Sequence, residues 1–169
     1  MKDVFAIFSV SESLRGEPCI ISQLVRIAIH TMGCELINEM LPNIEWTDQE
    51  LEQLQSIVNK ARFREELIRG ERGEAVMNWM AIDSSASVFF KDANKLKSLE
   101  LFREAIDALN SSWHYALKNH DSIKSQLSQK QTGYLKQMNS VWAQQLFPAI
   151  EQALNAGARA EARQNCMIA

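Results

Sequence analysis

The stretch from Arg15 to Leu41, RGEPCIISQLVRIAIHTMGCELINEML, limits the folds open to this chain more than any other feature. Its apolar residues fall in two adjacent rows at helical spacing: Ile20, Leu24 and Ile27, then Ile21, Val25, Ala28 and Met32. A helix apolar over that much of its circumference packs on more than one side. It spans ~35 Å at a rise of about 1.5 Å per residue and ends before Pro42. The 169 residues hold only six Gly and three Pro, so long helices meet few interruptions. These features predict an all-α fold of about five helices, bundle-like, in a single domain over residues 1–169.

A first short helix is expected over residues 3–14, with Val4, Ile7, Phe8 and Ser11 on one face. Gly16 ends it, and Pro18 falls in the first turn of the next helix, where a missing N–H costs nothing. Thr47-Asp48-Gln49-Glu50 reads as a capping box, with Trp46 and Leu51 placed as a hydrophobic staple. The third helix carries Leu51, Leu54, Val58, Ala61 and Ile68 on one stripe, and Glu65 intrudes on it. Gly70 and Gly73 mark a break or kink before the Val76–Met80 segment. Residues 83–94 read as a connector and 95–118 as a fourth helix; 119–132 read as helix or loop. A last helix runs from about residue 133, interrupted near Pro148. Its small-residue tail over 153–169 is expected to be helical where packed and frayed at its end.

The totals exclude several jobs. Net charge is −3, and residues 83–169 carry ten Lys/Arg against eight Asp/Glu, too slight a bias for a nucleic-acid footprint. Cys19, Cys34 and Cys166 form no CxxC pair, which removes zinc ribbons and thioredoxin-type motifs. Acids and serines occupy the N-terminus where a signal peptide would carry its apolar core. Residues 18–29 are interrupted by Ser22, Gln23 and Arg26, so no transmembrane span is expected.

Candidate chemistry is sparse. His30 and Cys34 have an i, i+4 spacing that suits a metal, but Glu35 and Glu39 turn away and no third ligand is near. The residues three before His30, His114 and His120 are Ile27, Ser111 and Leu117, so the Glu-x-x-His pairs of a di-iron site are missing. No G-x-S-x-G elbow occurs, and RGERG (Arg69–Gly73) is too short for a phosphate loop. No catalytic residue, metal or cofactor is therefore expected. Trp46, Trp79, Trp113 and Trp142 read as core and rim packing, or as the lining of a ligand cavity in a binding or enzymatic domain. Gln23, Arg26 and His30 form a polar stripe, read either as a solvated edge or as a buried network. If the second and third helices are antiparallel about residues 43–44, Arg26 lies level with Ala61 and one turn from Glu65. An Arg26–Glu65 pair would then join them, with Glu71 or Glu66 competing for the guanidinium.

Four segments carry a resemblance: GEP-x-x-ISQLVRIA (Gly16–Ala28), L-x-x-LQ (Leu51–Gln55), RGERG, and ARAEAR-x-x-C (Ala158–Cys166). Together the chain resembles a family of uncharacterised bacterial helical proteins, closely over residues 14–80 and at the far C-terminus. Longer members begin with a membrane anchor and continue into a region similar to the C-terminal part of type II secretion pseudopilins. The resemblance implies the helical middle of a longer envelope protein, with Met1 as an added start. It implies a periplasmic or envelope-exposed location, and membrane contact only through a segment outside this chain. It supplies no catalytic residues. The function expected is a non-enzymatic structural or protein-interaction module, with a protein partner or self-association and no nucleic acid.

Overall fold

The computed structural model describes residues 2–84, 91–129 and 135–168; the regular elements among them are all helices, with no strand. They form α1 (Lys2–Ser13), α2 (Ile20–Met40), α3 (Asp48–Val58), α4 (Phe63–Ser84), α5 (Lys91–Ser111), α6 (Trp113–Gln129) and α7 (Leu135–Ile168). The count exceeds the five expected because two of the anticipated helices are each divided.

The third expected helix breaks at residues 59–62, not at Gly70 or Gly73. The Lys60 and Ala61 N–H groups turn back to the Ile57 and Val58 carbonyls in tight turns, and α4 restarts at Phe63. Both glycines sit inside a continuous α4 for a packing reason. A Cβ on Gly73 would lie 1.8 Å from the Pro18 carbonyl oxygen, and one on Gly70 would lie 3.0 Å from Ile20 Cδ1. The fourth expected helix divides at Ser112, whose Oγ accepts the Tyr115 N–H at 3.1 Å in the first turn of α6. Part of the expected connector belongs to the ends of α4 and α5; Val88, Phe89 and Phe90 lie outside the described residues.

Other boundaries follow local chemistry. Gly16 takes φ +87°, a left-handed value that ends the turn after α1 at little cost for glycine. Pro18 precedes Cys19, the N-cap of α2, so it lies before the first turn rather than in it. The capping box of α3 is complete: Thr47 Oγ1 accepts the Glu50 N–H at 3.3 Å, and Glu50 Oε2 accepts the Thr47 N–H at 3.0 Å. The α7 backbone stays helical through Pro148 and on to Ile168. Ala153, Leu154, Ala160 and Gln164 are buried, so the tail is helical and packed through Gln164. Asn165 and Cys166 are exposed, and the side chains beyond them lie outside the described residues.

The apolar interior has two parts. The larger joins Ile20 and Ile27 of α2 to Phe63 and Leu67 of α4, Leu109 of α5, and Ile150 and Leu154 of α7. Fully burying side chains of this size stabilises by about 1.5–3 kcal/mol each. The smaller part joins Val4 and Phe8 of α1, Cys34 and Ile37 of α2, and Leu54 and Val58 of α3. The α2 helix therefore threads both parts and packs closely on α1, α4 and α7. It is also long and apolar enough, by length and composition alone, to cross a membrane, which sequence inspection did not anticipate.

Candidate functional site

The polar interior lies where the turn between α1 and α2 meets one face of α4. That face presents Glu66, Gly70, Gly73 and Glu74 at successive helical turns. Glu66 accepts from the Gly16 backbone N–H and from Arg15 Nε, each at 3.3 Å. Gly73 admits the Pro18 carbonyl. Cys19 offers no side-chain cap to α2, and Glu74 Oε1 instead accepts the Ile20 N–H at 3.1 Å. A carboxyl from another helix thus does the work of an N-cap and meets the positive end of the α2 dipole. The GEP and RGERG segments are in contact through these residues.

Arg26 is 1% exposed and is the largest fully buried side chain among the described residues. Its partner is Glu12 of α1, with Nη2 2.8 Å from Glu12 Oε1. Glu65 is solvent-exposed and lies near Arg62, so the expected Arg26–Glu65 pair does not form. The register failed because it was carried along a helix that breaks at residues 59–62. Glu12 also meets Arg15, and Arg15 meets Glu66, so a ladder of opposite charges runs from the interior to the surface. Arg26 lies 5.8 Å from the Phe63 ring centroid, and its backbone carbonyl accepts from Ser11 Oγ at 3.1 Å. Its Nε and Nη1 find no acceptor.

Of the remaining candidates, Gln23 is buried and donates through Nε2 to the Glu17 carbonyl at 2.8 Å, which secures the interhelix turn. His30 is buried between the edges of Phe8 and Phe63, with ring centroids 5.0 and 4.9 Å away. Burial, and then the nearby Arg26 charge, lower its pKa to about 4. Glu71 is buried, and its Oε2 has no partner. Desolvation, then the Glu74 charge, raise its pKa to about 8, so near neutral pH it is a protonated acid. The polar stripe of α2 is therefore a buried network, not a solvated edge. It joins Gln23 and Arg26 to Ser11, Glu12 and the backbone near Glu17, whereas Glu65 stands outside it. The sequence does not announce Glu12 or Glu74 as partners, and Glu66, expected only as a competitor for Arg26, meets Arg15 and the Gly16 N–H instead. The signal available was Ser11 on the apolar face of α1, a polar group that needed a buried acceptor.

A second feature lies at the other end of α2. An open groove of about 470 Å³ runs between the end of α2 and α3, lined by Ile37, Leu41, Leu54 and Val58 with Asp48 and Glu52. Ile37, Leu54 and Val58 form the buried floor, and Leu41 and Leu51 are each 40% exposed. The groove exists because α3 stands off: none of the closely approaching helix pairs includes it.

Cys34 is buried in the smaller apolar cluster, and burial pushes its thiol up to about 11, which keeps it un-ionised and unreactive. Among the described residues no three His, Cys, Asp or Glu side chains converge on a point suited to a metal. The three described tryptophan side chains do not gather around one cavity. Trp46 packs on the smaller cluster, Trp113 lies over Gly157 against the larger one, and Trp79 is exposed beside Lys95. The Trp142 side chain lies outside the described residues. Comparisons of the chain with protein-family models, with curated proteins and with solved structures find no match.

Proposed function

We propose that this chain is a non-enzymatic, protein-interaction helical module, bundle-like and in one domain, that serves as part of a bacterial envelope protein. The envelope context, and a tie to a pilin-like assembly, rest on the resemblance of the four segments named above. The observation that carries the interaction reading is the outer face of α2. Ile21, Val25 and Met32 are 54%, 46% and 63% exposed, and Ala28 between them is exposed as well. This is the second of the two apolar rows, at helical spacing, on a helix whose other faces are covered by α1, α4 and α7. Such a stripe suits a partner helix. The charged interior is consistent with a structural role, because Glu12, Glu66, Glu74 and Arg26 tie α1, α2 and α4 to one another.

The test is a photo-reactive phenylalanine analogue placed at Val25 in cells, with a matched placement at exposed Asn110 of α5. A discrete cross-linked adduct at Val25 and none at Asn110 is the expected result. No adduct at Val25, Ile21 or the groove residue Leu51, together with a monomer by sedimentation, would end this reading.

A further inference from the structure

We infer that the groove between α2 and α3 is a docking site for a basic amphipathic helix of a partner protein. This inference rests on the interaction reading above, and it assigns a place and a chemistry that the outer face of α2 does not.

The first support is the charge pattern. Residues 27–59, the segment that builds the groove, contain six of the 21 acids of the chain and none of its 18 Lys/Arg. Glu35 is paired with Arg163 of α7 at 2.8 Å, and Glu50 is tied into the capping box of α3. Asp48 and Glu52 line the groove itself, and neither has an ion-pair partner among the described residues. The groove wall is thus negative on a molecule whose overall charge is only −3.

The second support is shape. The floor of Ile37, Leu54 and Val58 is buried, while Leu41 and Leu51 rise at the rim. The opening is a stand-off between two helices, not an enclosed chamber. Helix-in-groove recognition uses this form: apolar anchors at i, i+3, i+4 and i+7 enter the groove while flanking charges meet the rim. Apolar contacts would hold the guest, and Asp48 and Glu52 would select Lys/Arg flanks and reject acidic ones. The apolar stripe on α2 (Ile21–Met32) carries no exposed Lys or Arg. Exposed Arg72 precedes the α4 stripe (Val76–Met80), and on α5 exposed Arg103 follows Leu96 and Leu99, so a second copy is the competing occupant that the oligomeric state tests.

The probe is a labelled helical peptide of Leu and Lys with Leu at the i, i+3, i+4, i+7 positions, titrated with the whole protein and followed by fluorescence anisotropy. Two controls accompany it: the same Leu pattern with Glu in place of Lys, and a Leu/Lys peptide of alternating pattern. The expected result is saturable one-to-one binding of the first peptide only. Its Kd should rise about tenfold or more in Glu52→Lys and in Leu51→Ser, and with salt as exposed charges are screened. Circular dichroism checks that both variants stay folded; their positions are partly or fully exposed. Val25→Glu, on the other surface, should leave the affinity unchanged. The assignment is overturned if the helical Leu/Lys peptide does not saturate, or if both controls bind as well as it does. Affinities of Glu52→Lys and Leu51→Ser equal to that of the unaltered protein would also overturn it. So would a dimer that forms in the unaltered protein and is lost in Leu51→Ser, because the occupant would then be a second copy. A Val25 cross-link with no peptide binding would defeat the groove and leave the interaction reading standing.

Discussion

The two ends of α2 use opposite packing strategies. At its N-terminus, α4 comes so close that Gly73 has no room for a Cβ beside the Pro18 carbonyl, and the contact is lined with paired or hydrogen-bonded polar groups. At its C-terminus, α3 stands away, the shared surface is apolar, and the acids face outward along an open groove. The difference shows that close backbone approach, rather than apolar area, fixes the geometry of the first end. Close approach removes water from backbone N–H groups and forces other groups to satisfy them. The stand-off at the second end leaves those demands to solvent and leaves a gap for something else to fill.

The largest effect should come from Gly73→Ala. The new methyl meets backbone, which cannot swing aside, so a loss of about 3 kcal/mol or more, or failure to fold, is expected in urea denaturation. Gly70→Ala is the counterpart. Its nearest neighbour is the end of the Ile20 side chain, and Ala gains about 1 kcal/mol of helix propensity over Gly, so the two effects should roughly cancel. If both substitutions cost the same, the close-approach argument fails.

The second test uses pH. Glu71 keeps its proton in the folded state up to about pH 8, whereas the unfolded side chain ionises near 4.5. Its contribution is full below pH 4.5 and is lost as pH rises toward 8. Glu71→Gln should therefore stabilise the protein increasingly across that window, by up to about 1.4 kcal/mol per pH unit. His30 has the opposite sign. Its folded pKa lies near 4 and the unfolded one near 6.5, so stability falls as pH drops through that interval. His30→Gln should flatten the acid limb only. A stability curve unchanged by both variants would show that neither group is as desolvated as the fold makes it.

Removing Glu12 is next in size. Glu12→Ala leaves Arg26 buried without its carboxylate, and the loss should be about 2–3 kcal/mol, below the fully buried limit because Glu12 reaches solvent. Glu65→Ala, at the partner expected from sequence, should change stability by under about 0.5 kcal/mol. At the open end, Thr47→Ala removes the α3 cap and should cost about 1 kcal/mol. A Thr47 loss larger than the Glu12 loss would reverse the ranking of the two ends.

What could be read in advance followed from local chemistry. The all-helical class, the end of α2 before Pro42 and the capping box at Thr47 each rest on a few neighbouring residues, and each is present. The misreadings share one cause. The segment Asn59-Lys60-Ala61-Arg62 contains neither Gly nor Pro, and Ala61 fits the apolar stripe, so nothing local announces the break. Gly70 and Gly73 read locally as breakers because glycine in a helix has two meanings, and only a neighbour in space tells them apart. The Arg26 partner was lost for the same reason: one unseen turn moves every register beyond it. Ser112 and Glu74 act as caps from positions where local spacing gives weak notice or none.

The docking of α7 on α2 sets an order in time. Glu35 and Arg163 are 128 positions apart, and Leu154 shares its cluster with Ile20 and Ile27. During synthesis at about 5–20 residues per second, α2 therefore waits many seconds for its last covering helix. Once α4 has been made, α1, α2 and α4 are available to pair, but the surface that α7 covers is open to water or to a chaperone. Ribosome-bound chains halted before Ile150 should show amide exchange in α2 that chains carrying residues through Gln164 no longer show.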